Sequence, residues 1–116
     1  LRQDAIKKYG HKCMISGVTQ AFEAAHIKPA SECNAKEKCD VNNILLLKAD
    51  IHSLFDEYKI TINPNNNKVL VHKSCDNYYI KNYNDIDVSL SNGHKKYLLQ
   101  HFAKYQELND KFVYNN

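Results

Sequence analysis

The chain has no long apolar run. Its longest, ILLL at 44 to 47, falls far short of the roughly 20 apolar residues that cross a bilayer. It has no Cys-x-x-Cys pair either. Cys13, Cys33, Cys39 and Cys75 are scattered, with Cys33 and Cys39 six apart in a polar segment. Zinc ribbons and knuckles want close pairs, so structural Zn²⁺ is disfavoured. Free thiols are the expectation, with zinc or disulfides as the alternatives. No internal repeat and no secretory signal is recognised, and a cytoplasmic location is expected. No charge of one sign prevails: 16 basic against 13 acidic residues give a net charge of +3. That balance is compatible with a polyanionic partner but forms no diagnostic basic stripe. Nothing resembles a base-reading helix, and base contacts are what carry sequence specificity. The chain opens at Leu1 rather than Met, which is compatible with a piece of a longer polypeptide.

What is present, 116 residues, is enough for one domain with a modest core. RQDAIKKY at 2 to 9 reads as a helix stopped by Gly10. KCMISG at 12 to 17 suits a short extended segment ending in a turn. FEAAHIKP at 22 to 29 becomes extended before Pro29. Residues 30 to 42 are polar and aperiodic, hence loop. ILLL is more strand than helix at its length, and a helix follows from about Ala49 to Tyr58. KITI and KVLVHK flank the asparagine-rich NPNNN, a hairpin signal. From about Asn92 a long helix is expected. Leu98, His101 or Phe102, Tyr105, Leu108 and Phe112 recur at three and four and would close the core. His94 and His101 are read as a residue at that helix's N-terminus and one on its surface or at the edge of the core.

The chemistry gathers in the middle. In ADIHSLFDE, residues 49 to 57, Ile51, Leu54 and Phe55 form an apolar side. His52 and Asp56 lie four apart, one above the other on a helical face. That spacing lets both side chains reach one ion. It also suits a surface pair worth a few tenths of a kcal/mol. His26 ends one extended piece and Asn43 opens the next. A strand, loop, strand and helix can fold back so that His26 faces the helix bearing His52. A neutral imidazole there can take a proton from water. Taken singly, His26 suits a half-buried histidine on a backbone group, and Asn43 a turn or cap.

Together, His26, Asn43 and His52, in YGHKCMISG, EAAHIKP and NNILLLKADIHSLFDEYKITINP, resemble the HNH endonuclease family. The chain is most similar to the branch in bacterial restriction-type proteins, where the Ala-His-Ile and Leu-Phe-Asp strings recur. The resemblance covers roughly residues 1 to 64. It implies an α+β fold: a small ββα-metal core at about 12 to 58 with flanking helices and an added β-hairpin, the domain spanning 1 to 116. It implies a metal-dependent endonuclease acting on DNA, the nuclease module of a restriction or defence protein. His26 would be the general base, Asn43 the organiser of the loop, and His52, with Asp56, the ligand of one Mg²⁺ or Mn²⁺ at the scissile phosphate. Lys28 and Lys48 would touch nucleic-acid phosphates. Another domain or a homodimer would supply specificity and the second strand cut.

One departure stands out. Many HNH sites carry an Asp or His ligand just before the base, whereas this chain has Ala25, preceded by Ala24. Glu23 would reach inward only over a backbone bulge. That departure keeps open an HNH-like module that grips nucleic acid without cutting. A third reading is a structural or protein-interaction domain in which the cysteines bind zinc.

Overall fold

The computed structural model describes the backbone of residues 1–114 and the side chains of residues 1–109. Helix α1 (Arg2–Tyr9) ends where Gly10, at φ 99°, sends its N–H back to Ile6 O. A positive φ there is what glycine tolerates without a Cβ clash. Strand β1 (Phe22–His26) pairs antiparallel with β2 (Ile44–Lys48), Phe22 opposite Lys48 and His26 opposite Ile44, in unbroken register. Ile44, Leu45, Leu46 and Leu47 are all fully buried, which explains why β2 is continuously apolar rather than alternating. Both α1 and α3 (Ala49–Asp56) pack on this strand. In α3, Ile51 and Phe55 are buried and Leu54 packs partly against the core.

The α+β class and the ββα core are as the sequence leads one to expect, with two local differences. Residues 12 to 17 form no extended segment. They fold into a tight turn in which Gly17 N–H bonds Cys13 O at 2.9 Å and Ser16 N–H points at Cys13 Sγ at 3.3 Å. The polar stretch 30 to 42 is not plain loop. It holds 3₁₀ turns at 30–32 and 41–43 and the short helix α2 (Ala35–Lys38). A reciprocal capping box between Asn34 and Glu37 starts α2. Capping needs no apolar period, so a periodicity search passes over it.

Strands β3 (Ile60–Asn63) and β4 (Lys68–Val71) make the expected hairpin. Its asparagines cap their own turn: Asn63 Oδ1 accepts from Asn65 N–H and Asn66 Oδ1 from Lys68 N–H. Helix α4 (Asn77–Tyr83) follows in a segment with no clear sequence signal.

The terminal helix α5 (Asn92–Tyr114) departs from expectation in what its histidines do. His94 lies in the first turn as expected, but it is fully buried. His101 is 4% exposed, so it does not lie on the helix surface. Each imidazole donates from Nε2 to a backbone carbonyl at 2.8 Å, His94 to Ile44 O and His101 to Phe55 O. Thr61 Oγ1 meets His101 Nδ1 at 2.7 Å, and the His101 ring stacks on Phe55 at 3.7 Å. Tyr97, one turn from each, bonds Asp40 at 2.7 Å. Buried carbonyls demand donors, and one face of α5 supplies them. Leu108 is 38% exposed, so the core closes before it. The Phe112 side chain lies outside the described residues.

Two expectations follow. Burial holds the His101 imidazole neutral, its pKa pushed down to about 4. The native state therefore binds fewer protons than the unfolded chain once pH drops below the ordinary imidazole value. This stabilisation is complete above roughly pH 6.5 and declines as pH falls toward 4, by about 3 kcal/mol. Urea melts across that window should show it, with a shallower decline in His101→Gln. Gly93, in the first turn of α5, has no room for a Cβ, which would overlap the Asn42 side chain. Gly93→Ala should therefore cost about 1–3 kcal/mol by overpacking, despite alanine's better helix propensity.

Candidate metal and catalytic site

The β1–α3 junction brings His26, His52 and Asp56 to one cleft of about 340 Å³, also walled by Ala24, Tyr58 and His101. A larger hollow of about 740 Å³ lies between α1, the 13–17 turn and the segment before α5. Its walls carry no histidine and only one carboxylate, Asp87, so the smaller cleft is the chemical candidate.

His26, the last residue of β1, has Nε2 3.0 Å from Lys38 O. A carbonyl only accepts, so this nitrogen carries the hydrogen and Nδ1 keeps the lone pair. Lys38 is held in place by the β1–β2 connection, and Asn43 ties that connection together. Asn43 is fully buried. Its Oδ1 accepts from Lys28 N–H at 2.8 Å. Its Nδ2 lies 3.4 Å from Lys28 O, 3.3 Å from Glu37 O and 3.4 Å from Cys33 Sγ. One amide thus spans the residue after the His26-Ile27 pair and the end of α2.

His52 lies between two carboxylates. Glu23 Oε1 is 2.8 Å from Nδ1 and Asp56 Oδ2 is 3.1 Å from Nε2. Glu23 reaches His52 with the β1–β2 register unbroken, without the backbone bulge that the sequence reading made a condition for its reaching inward. The contact joins residues 29 apart in the chain, and no local pattern announces it. Among the described residues, neither Glu23 nor Asp56 has a lysine or arginine partner. The Asp56 carboxyl is accordingly pushed above the usual carboxylate range. Desolvation is the largest cause, the histidines His52 and His26 pull the other way, and the Glu23 charge adds to the rise.

This arrangement fits a divalent cation. Hard ions of the Mg²⁺ type bind ligands at about 2.1 Å in an octahedron, which puts neighbouring ligand atoms roughly 3 Å apart. The Nε2–Oδ2 separation of 3.1 Å matches that spacing. A ligating histidine normally donates its other N–H to a carboxylate, and Glu23 stands at that position. Among the described residues no three His, Cys, Asp or Glu side chains converge in ion-holding geometry. The protein would thus supply the His52–Asp56 pair, leaving other positions to water and substrate oxygens.

The lysines are already engaged. Lys28 Nζ lies 2.9 and 3.1 Å from the two Glu37 carboxylate oxygens, and this pairing raises its pKa. Lys48 lies 3.5 Å from Asp50. Neither lines the cleft of His26, although Lys28 borders a smaller hollow beside it. The cysteines are free and dispersed, Cys13 buried in the core, Cys39 exposed.

Residues 13–63 match the family model HNH_2, described as HNH endonuclease. This matched segment, under half of the chain, holds every residue discussed above from Glu23 to Tyr58. Among solved structures, the chain is similar to a "Modification dependent TagI restriction endonuclease", with a TM-score of 0.62 and 18% identity. The superposition covers 89% of this chain and 36% of that one, so the chain spans about a third of that enzyme's length. At such identity the likeness is one of fold. A comparison with curated proteins returned no match.

The Asn43 network is directly testable. Asn43→Asp keeps the acceptor toward Lys28 N–H but turns the donor into an oxygen facing two carbonyls. Urea denaturation should show a loss of about 1–3 kcal/mol or more, as for a buried polar group left unsatisfied. Lys28→Ala should likewise act through the Glu37 loop. Urea melts should show a slightly lower stability.

Proposed function

We propose that this chain is a metal-dependent endonuclease module that hydrolyses phosphodiester bonds in DNA, within a restriction or defence protein. The observation that carries the reading is the cleft shared by His26, with one ring nitrogen fixed by a carbonyl, and the His52–Asp56 pair. The match of residues 13–63 to the HNH endonuclease family model supports the nuclease class.

In this reading His26 is the general base. The Lys38 carbonyl holds its tautomer and aim, so Nδ1 takes the proton of the attacking water. Asn43 acts at a distance by fixing the connection that carries Lys38. His52 and Asp56 hold the divalent ion, Mg²⁺ or Mn²⁺, while Glu23 keeps the His52 proton on Nδ1 and so leaves Nε2 to the ion. When bound, the ion would neutralise charge on the scissile phosphate and on the departing 3′ oxygen. Lys28 and Lys48 remain candidates for phosphate contact only by exchanging a carboxylate partner for a phosphate. One site cuts one strand. A double-strand break would therefore need a second copy, and choice of sequence or base modification a further domain. Among the described residues no helix is long and apolar enough to cross a membrane.

The alternative, a module that binds DNA without cutting, draws on Ala24 and Ala25, which leave two protein donors where other HNH sites have more. A plasmid-nicking assay separates the two. With Mg²⁺ or Mn²⁺ the wild type should nick and EDTA should stop it. His26→Ala should cut roughly 100-fold slower or worse, as general-base losses go, while keeping its Mn²⁺ affinity by calorimetry. His52→Ala should lose both. DNA binding that survives EDTA, with no nicking under either metal, would support the non-cutting module.

A further inference from the structure

The candidate cleft does not stop at Asp56. A smaller hollow of about 70 Å³ adjoins it, and the two share Ile27, Pro29, Tyr58 and His101 as walls. The combined groove runs from His26 and Asp56 across Tyr58 to the turn of α5 that carries Gln100 and Lys104. Tyr58 sits just past α3 at φ 59°, a conformation in which glycine is the ordinary choice. Its N–H and that of Lys59 close the helix end on Phe55 O and Leu54 O. Its ring lies against His101 at 4.5 Å, and the Lys104 ammonium stands 4.6 Å from the ring centroid.

The charges along this groove are uneven. At one end Glu23 and Asp56 have no cationic side chain other than histidine. At the other, Lys28 is neutralised by Glu37. Lys104, exposed and one turn past His101, makes no ion pair among the described residues. The Tyr58 hydroxyl has no hydrogen-bond partner among them either. Glu32 is the one carboxylate on the wall of the smaller hollow. A backbone running through the groove would therefore meet a cation site first, and a free ammonium, a phenol and an amide one step on.

We propose that Tyr58, Gln100 and Lys104 form a subsite for the DNA backbone phosphate next to the one that is cut. This rests on the nuclease reading for its direction, though it can be tested by binding alone. His101 holds the floor of the subsite, since its hydrogen bond to Phe55 O fixes the helix end from which Tyr58 projects. The family-matched segment ends at residue 63, so Tyr58 lies within it, while Gln100 and Lys104 come from the part of the chain that the match does not cover.

The test is fluorescence anisotropy of a short labelled DNA duplex in EDTA over a range of NaCl. Each phosphate neutralised contributes about 0.9 to the slope of log affinity against log salt. Lys104→Ala should weaken binding at low salt and lower the slope by about that amount. Tyr58→Phe, which keeps the ring against His101, should weaken binding with the slope unchanged. Glu32→Gln should strengthen it. Lys7→Ala, exposed on α1 away from the groove, is the control and should leave the slope as it is. Equal slopes and affinities for wild type and Lys104→Ala would overturn the subsite, as would an equal fall in Lys7→Ala. A wild type that binds no duplex in EDTA would overturn the subsite, and the nuclease reading would then stand or fall on the nicking assay alone. A wild type that binds through Lys104 yet never nicks with metal would leave the subsite standing and remove the nuclease.

Discussion

Ile44 to Leu47 make a strand with no face for water, in a sheet of only two strands. A two-stranded sheet is marginal in water without something packed on it. The molecule meets this constraint by covering β2 from every side, and most other features follow from how it does so. Helices α1 and α3 pack on the strand itself, while α5 secures its entrance by donating from His94 to Ile44 O. The site residues hang on the same hairpin. His26 ends its first strand, and His52 and Asp56 lie on the helix that leaves its second.

Covering a strand with a distant helix raises a second problem, which is what to do with buried backbone oxygens. Residues that donate without bringing a charge solve it. Neutral imidazoles serve at Ile44 and Phe55, and the Tyr97 hydroxyl serves the Asp40 carboxylate in the connection between strands. His94 and His101 are thus structural histidines, whose neutrality burial enforces. His26 and His52 instead face a cleft. The chain uses one residue type for two purposes, and the surroundings rather than the sequence position separate them.

The long connection between β1 and β2 shows the same division between local and distant causes. Its short helix is started by an Asn34–Glu37 box of purely local origin. The Asn43 amide ties it to the chain just past β1, reaching back fifteen residues to Lys28. Lys28 then spends its charge on Glu37 in the same loop. Lys28, which its position in the chain suggests as a phosphate contact, is thus paired inside the loop that carries Lys38.

The sequence by itself determined the local elements: the glycine-stopped first helix, the apolar β2, the His52–Asp56 spacing on α3, the asparagine turn and the terminal helix. Each of these follows from periodicity, capping or turn chemistry within a few residues. It also carried the order of His26, Asn43 and His52, which was enough to indicate the family. Only the tertiary structure decided that Glu23 completes His52, that Lys38 O fixes the tautomer of His26, and that His94 and His101 are buried. Those contacts join residues from 12 to 50 apart. Their partners are set by strand register and helix packing, and neither helical nor strand periodicity encodes which side chain arrives at which carbonyl.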